Sequence, residues 1–149
     1  MISSIMHIGI TVSDMERSIS FYRDILGLKF QGELLMEGPE TDCLFAQKDC
    51  RVRIAYLNGS TELSAPPIEL LQFLSDGEYA HSSLFKTSIS EICFETDNIE
   101  KEYQRLLEKG VVFLSEPQIF DFTAYGFGKS KAVYFKDPDG IILELMETL

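Results

Sequence analysis

"HIGITVSDMERSISFYRDILGLKF", residues 7 to 30, and "EICFETDNIEKEYQRLLEKGVVFL", residues 91 to 114, decide the fold when one is laid over the other. Each begins with an alternating, β-prone run. Each then offers capping residues, Ser13 and Asp14 in the first and Asp97 and Asn98 in the second, whose side-chain oxygens can satisfy the free N–H groups of a helix start. Apolar residues follow at intervals of three and four: Met15, Ile19, Tyr22 and Ile25, then Ile99, Tyr103, Leu106 and Leu107. Both helices close near a glycine, Gly27 and Gly110, and a new strand begins. The chain is two copies of one unit.

Working outward, the pattern predicts strands over 28–36, 50–57 and 67–73 in the first copy. In the second it predicts strands over about 111–115, 130–136 and 140–146. "KDPDG" (136–140) reads as a hairpin turn, with Pro138 fixing φ and Gly140 supplying a positive φ. The expected class is α+β: two tandem βαβββ modules, each curling a four-stranded mixed sheet, together forming a cleft with the helices outside. Module 1 covers about 1–74 and module 2 about 89–149, within one domain of 149 residues. The polar segment between them, about 75–88, reads as a linker. A unit with one helix and four strands cannot cover both faces of its sheet, so the two should pack together.

Bulk properties narrow the function. Apolar content of 45% and charged content of 25% are those of a globular domain. No apolar run approaches the roughly 20 residues of a spanning helix. The N-terminus has no basic lead and no cleavage signature, so a cytoplasmic protein is expected. A net charge of −11 argues against nucleic acid and against an anionic membrane surface, and suits a cation. Cys43, Cys50 and Cys93 form no CxxC pair and read as reduced thiols.

Strand alternation then isolates four polar residues. Glu69 in "PIELLQF", Glu91 in "ISEICFE" and Glu144 in "GIILELME" each interrupt an apolar run. An ionised carboxylate there is unfavourable unless paired. Glu147, at the chain end, reads as an easily solvated charge. By period-two alternation Ile8, Ile10 and Val12 face the helices, and His7, Glu69, Glu91 and Glu144 face the other way. The repeat puts His7 over Glu91 and Glu69 over Glu144. One imidazole and three carboxylates suit a hard or borderline divalent cation, Mn, Fe, Co, Ni or Zn. A cation is one way to keep such carboxylates ionised.

The βαβββ duplication, "MHIGITVSDMERSISFYRDILGLKF", "IELLQF" and "VYFKDPDGIILEL" together resemble the vicinal oxygen chelate superfamily. That group includes glyoxalase I, methylmalonyl-CoA epimerase, extradiol dioxygenases, fosfomycin thiol transferases and bleomycin-sequestering proteins. The resemblance covers essentially the whole chain and implies that His7, Glu69, Glu91 and Glu144 are metal ligands. It also implies a homodimer, with a site that closes within one chain or between two. Most such enzymes carry His where this sequence has Glu91, so the expected ligand shell is more negative than usual.

The resemblance implies isomerase, epimerase or lyase chemistry: vicinal substrate oxygens are chelated and an enediolate or enolate is stabilised. Glu144 is expected to be both ligand and proton-transfer base, because releasing one of three carboxylates improves the charge balance. Oxygenation by Fe(II), and thiol transfer likewise, favour two His and one carboxylate. The other histidine, His81, falls in the linker, which disfavours both. A drug-sequestering protein of the same fold, without metal, is the alternative of a different class. The substrate is expected to be a small, anionic molecule held by Arg53, Tyr125, Phe127 and Lys129. "FDFTAYGFGKSKAVYF" (120–135) reads either as a flap over the cleft or as a long connection with tucked-in aromatics.

Overall fold

The computed structural model describes residues 7–45, 47–58, 68–74 and 91–149. The linker read over 75–88, with His81, lies outside the described residues. The chain divides into two compact units, Met1–Tyr79 and Ala80–Leu149.

Unit 1 runs β1 (Ile8–Thr11), α1 (Met15–Ser20) continuing into a π-helical turn (Phe21–Ile25), β2 (Lys29–Glu37), α2 (Pro39–Phe45), β3 (Arg51–Asn58) and β4 (Ile68–Phe73). Its sheet is ordered β1-β4-β3-β2, with β1 and β4 parallel and the other pairs antiparallel. Unit 2 runs β5 (Ile92–Glu95), α3 (Ile99–Glu108), β6 (Val112–Phe113), β7 (Gln118–Asp121), β8 (Lys129–Lys136) and β9 (Ile142–Thr148). Its sheet is ordered β5-β9-β8-β6, with β7 also on β8 and the β5–β9 pair parallel. The class is α+β with two tandem modules.

The duplication extends to single atoms. Asp14 Oδ1 accepts from Arg17 N, and Asn98 Oδ1 accepts from Lys101 N, both at 3.0 Å. These caps stand 84 residues apart. The closing glycines, Gly27 at φ +86° and Gly110 at φ +79°, stand 83 apart, each in a conformation that L side chains adopt at a cost. The π-helical turn accounts for the difference. Its Leu26 N–H reaches back five residues to Phe21 O at 3.0 Å, a wider loop that absorbs one extra residue.

Met15, Ile19 and Tyr22 of the first helix are buried, as are Ile10 and Val12 of the strand side and Leu57 and Leu70. In unit 2 the counterparts are Ile99, Leu106, Val133, Phe135, Leu143 and Leu145. Each such side chain contributes about 1.5–3 kcal/mol on burial.

Three features differ from expectation. Unit 2 has five strands, not four. The edge position that nine-residue β2 fills in unit 1 is held by two short strands, and the strand expected over 111–115 shrinks to Val112–Phe113. Pro117 lies in the break; lacking an N–H, it cannot continue a ladder. Helix α2 was not expected, although Pro39 at its first position and acidic Glu40 and Asp42 in its first turn are helix-start signals. The 120–135 stretch is not a long irregular connection: β7 and β8 pair as a hairpin around a short turn, Thr123–Tyr125. Phe122 and Phe127 there are exposed rather than tucked into a core. Among the described residues the three cysteines are free and no helix is long and apolar enough to cross a membrane.

Candidate functional site

The parallel strand pairs position the chemistry. In unit 1, Glu69 of β4 lies between Gly9 of β1 and Tyr56 of β3. In unit 2, Glu144 of β9 lies between Cys93 of β5 and Tyr134 of β8. The two registers are the same. His7 and Glu91 each precede the flanking residue of the first strand by two, so each shares the face of its neighbouring carboxylate. His7 therefore corresponds to Glu91, and Glu69 to Glu144.

Glu69 is 8% exposed. Its two oxygens have different partners: Tyr56 donates its hydroxyl to Oε1 at 2.8 Å, and His7 Nε2 stands 3.2 Å from Oε2. The His7 ring meets Tyr56 edge-on and remains about half exposed. Gly9 makes the close approach possible. A Cβ there would lie 3.5 Å from Glu69 Oε2 and only 3.1 Å from Leu71 Cδ1. Burial raises the Tyr56 pKa, and the hydrogen bond to Glu69 adds to it, so the phenol keeps its proton and remains a donor.

Unit 2 has a side chain where unit 1 has Gly9. The Cys93 thiol is pushed up to about 12, chiefly by desolvation and then by its hydrogen bond and charge interaction with Glu144, with Glu91 and Glu95 adding. Cys93 retains exposed surface, its Sγ lies 3.9 Å from Phe94 O, and it stays protonated at neutral pH. Tyr134 is raised by burial and then by the charges of Glu144 and Glu91. Glu91 and Glu144 thus both act on Cys93 and Tyr134, and both are half-buried.

The donor chemistry fits a divalent cation. Two donors each about 2.1 Å from one ion, at angles between octahedral and tetrahedral, stand about 3.0–3.4 Å apart. The His7 and Glu69 atoms are at 3.2 Å. Among the described residues, no three His, Cys, Asp or Glu side chains are grouped as a complete cation site; His7 and Glu69 stand as a pair.

Among the expected substrate contacts, Arg53 and Lys129 turn away from these carboxylates. Arg53 lies on the helix-covered face, where its guanidinium meets Glu16 of α1 at 2.7 Å and Glu33 of β2 at 2.6 Å. Lys129 is paired with Asp121 at 3.1 Å, on the β8 face opposite Tyr134. Phe127 is 84% exposed, between the Thr123–Tyr125 turn and β8. Phe120 is better placed. Through Ser130 and Thr148 it shares the face of Glu144, and it stacks on Phe122 with centroids 5.9 Å apart.

Sequence reasoning also missed Tyr56 and Tyr134, although the third strands carry a signal: "AYL" and "VYF" occupy equivalent places. Glu147 is not a solvated terminal charge. Its Oε2 accepts from Ile99 N at 2.9 Å, at the start of α3. Its counterpart in unit 1, Gln72, donates to Ser13 O at 3.0 Å, just before α1.

A family model described as the Glyoxalase/Bleomycin resistance protein/Dioxygenase superfamily matches residues 4–145. The metallothiol transferase FosB of Lysinibacillus sphaericus is 30% identical over 139 residues, 93% of this chain and 78% of that protein. FosB of Staphylococcus epidermidis is 31% identical over 147 residues, 97% and 81% of the two chains. Among solved structures, a glyoxalase family protein from Bacillus cereus aligns with a TM-score of 0.82 at 22% identity, covering 100% of this chain and 96% of that one. The trypanothione-dependent glyoxalase I of Leishmania major aligns with a TM-score of 0.69 at 22% identity, covering 97% and 86%. At these identities the two structures speak to the fold.

Proposed function

Because the chain belongs to the Glyoxalase/Bleomycin resistance protein/Dioxygenase superfamily, we propose that it is a metal-dependent enzyme of the isomerase, epimerase or lyase type. In this reading His7, Glu69, Glu91 and Glu144 hold one divalent cation, and Glu144 moves the proton. The observation that supports it most is the burial of Glu69 with its Oε2 facing His7 Nε2 at 3.2 Å, a spacing suited to two donors on one ion. When bound, the cation supplies Lewis acidity for two neighbouring oxygens of a substrate. The remaining work falls to the chain. Glu69 and His7 orient, and Glu144, less buried, takes a proton from the carbon beside a substrate carbonyl and returns it elsewhere. Exposed Phe120 and Phe122 offer the apolar part of a small molecule a stacking surface.

The test is solvent-deuterium exchange into an α-hydroxycarbonyl or an α-acidic thioester, with and without added Mn²⁺. Metal-stimulated exchange that disappears in Glu144→Gln supports the reading. Exchange at the uncatalysed rate with every metal tried contradicts it. Mixing inactive His7→Ala with inactive Glu144→Ala shows where the pairs meet: activity returns if each site draws on two copies of the chain.

A second reading, thiol transfer, is favoured by the 30% and 31% identities to two metallothiol transferases. Metal-dependent consumption of a low-molecular-weight thiol by an epoxide, without deuterium exchange, would select it.

A further inference from the structure

We propose that Tyr56 is a positioning residue that holds Glu69 by its far oxygen and so presents the other oxygen, beside His7, to a cation. This rests on the metal reading above and adds to it the group that orients one of its ligands.

The two halves share a register but not a partner. Glu69 Oε1 is occupied by the Tyr56 hydroxyl at 2.8 Å. A hydrogen bond from a neutral donor to an ionised acceptor is among the stronger ones. That leaves Oε2, facing His7, as the oxygen Glu69 can offer an ion. The side chain is buried, and Gly9 lets it lie against β1. Tyrosine is stiff, with two χ angles, so the hold on Oε1 is established before any ion arrives. A phenol remains neutral at working pH, so it adds a donor without adding to a shell already rich in carboxylates.

In unit 2 the place of Gly9 is taken by Cys93, whose Sγ lies 3.9 Å from Phe94 O, and Glu144 is half-buried rather than buried. The phenol hold on a far carboxylate oxygen thus belongs to Glu69. Groups that orient metal ligands in this way typically change metal affinity by about 10–100-fold when removed.

The experiment is calorimetric titration of metal-free protein with Mn²⁺. The wild type is compared with Tyr56→Phe, Tyr134→Phe, Glu69→Gln and the double variant Tyr56→Phe/Glu69→Gln. Expected are a loss of about 10–100-fold in affinity for Tyr56→Phe and less than about threefold for Tyr134→Phe. In the Glu69→Gln background, adding Tyr56→Phe should change affinity little, because the hydroxyl acts through that carboxylate. A merely structural tyrosine would weaken binding in both backgrounds. Equal binding by Tyr56→Phe and wild type overturns the proposal and leaves the metal reading standing. No Mn²⁺ binding by wild type overturns both. If Tyr56→Phe does not fold, the wild type still decides. The Tyr56 hydroxyl proton should stay in slow exchange by NMR when Zn²⁺ is added, and its disappearance on loading overturns the proposal.

Discussion

Replacing Glu69 and Tyr56 together by apolar residues should make the metal-free protein more stable while abolishing cation binding. Glu69 is 8% exposed and carries a carboxylate beside Leu71 and Gly9. Keeping a charge buried is often less favourable than packing hydrophobic groups of similar volume, by about 1–4 kcal/mol where buried ion pairs are replaced in this way. Glu69→Leu alone removes that penalty but leaves the Tyr56 hydroxyl without its acceptor, which costs about 1–3 kcal/mol. The single variant should therefore lie near the wild type. Glu69→Leu/Tyr56→Phe removes both polar groups and should gain about 1–3 kcal/mol. For a chain of this length each kcal/mol shifts Tm by about 2–4 °C, so the double variant should melt about 2–12 °C higher. The assay is thermal unfolding followed by circular dichroism in the presence of a chelator. A double variant that melts below wild type would show that the carboxylate is kept for the fold and not for an ion, and the functional reading of Glu69 would be refuted.

Other expectations are independent of that one. Glu144→Gln should retain measurable metal and lose about 10²–10⁴-fold in deuterium exchange; equal exchange, with the loss appearing instead in Glu69→Gln, would move the base to Glu69. Asn98→Ala removes the side chain that caps α3 at Lys101 N and should destabilise by about 1 kcal/mol in urea unfolding, whereas Asp97→Ala should change stability by less. The carboxyl of Asp121 is held below its ordinary value first by the Thr123 hydroxyl, then by the Thr123 N–H and Lys129. A depressed pKa means stability present above the unfolded value and lost as pH falls through the folded one. Its NMR titration midpoint should accordingly lie below that of the unfolded chain, and Thr123→Val should raise it more than Lys129→Gln does.

Helices α1 and α3 and their caps were legible because they depend on neighbours in sequence: Asp14 and Asn98 each satisfy an N–H three residues on. The faces of His7, Glu69, Glu91 and Glu144 were legible because alternation is a local property of a strand. What escaped depends on pairing between strands. Tyr56 comes into contact with Glu69 only through the β3–β4 register, and Arg53 was misread as a substrate contact because only the fold brings Glu16 and Glu33 to it. Glu147 was taken for a solvated charge at the chain end, whereas its acceptor role requires β9 to run beside the start of α3. The break between β6 and β7 had a local marker in Pro117. The pairing of "QIFD" with "KSKA" had no such marker, since the intervening turn is rich in aromatics as well as glycine.

In the proposed reading, one divalent cation is held by His7, Glu69, Glu91 and Glu144. The most direct test of that reading is the Mn²⁺ stoichiometry and affinity of metal-free wild type beside His7→Ala and Glu69→Gln. The account predicts one ion per chain in the wild type and a large loss of affinity in both variants. Binding at the same strength in all three proteins, or no binding in any, would contradict it.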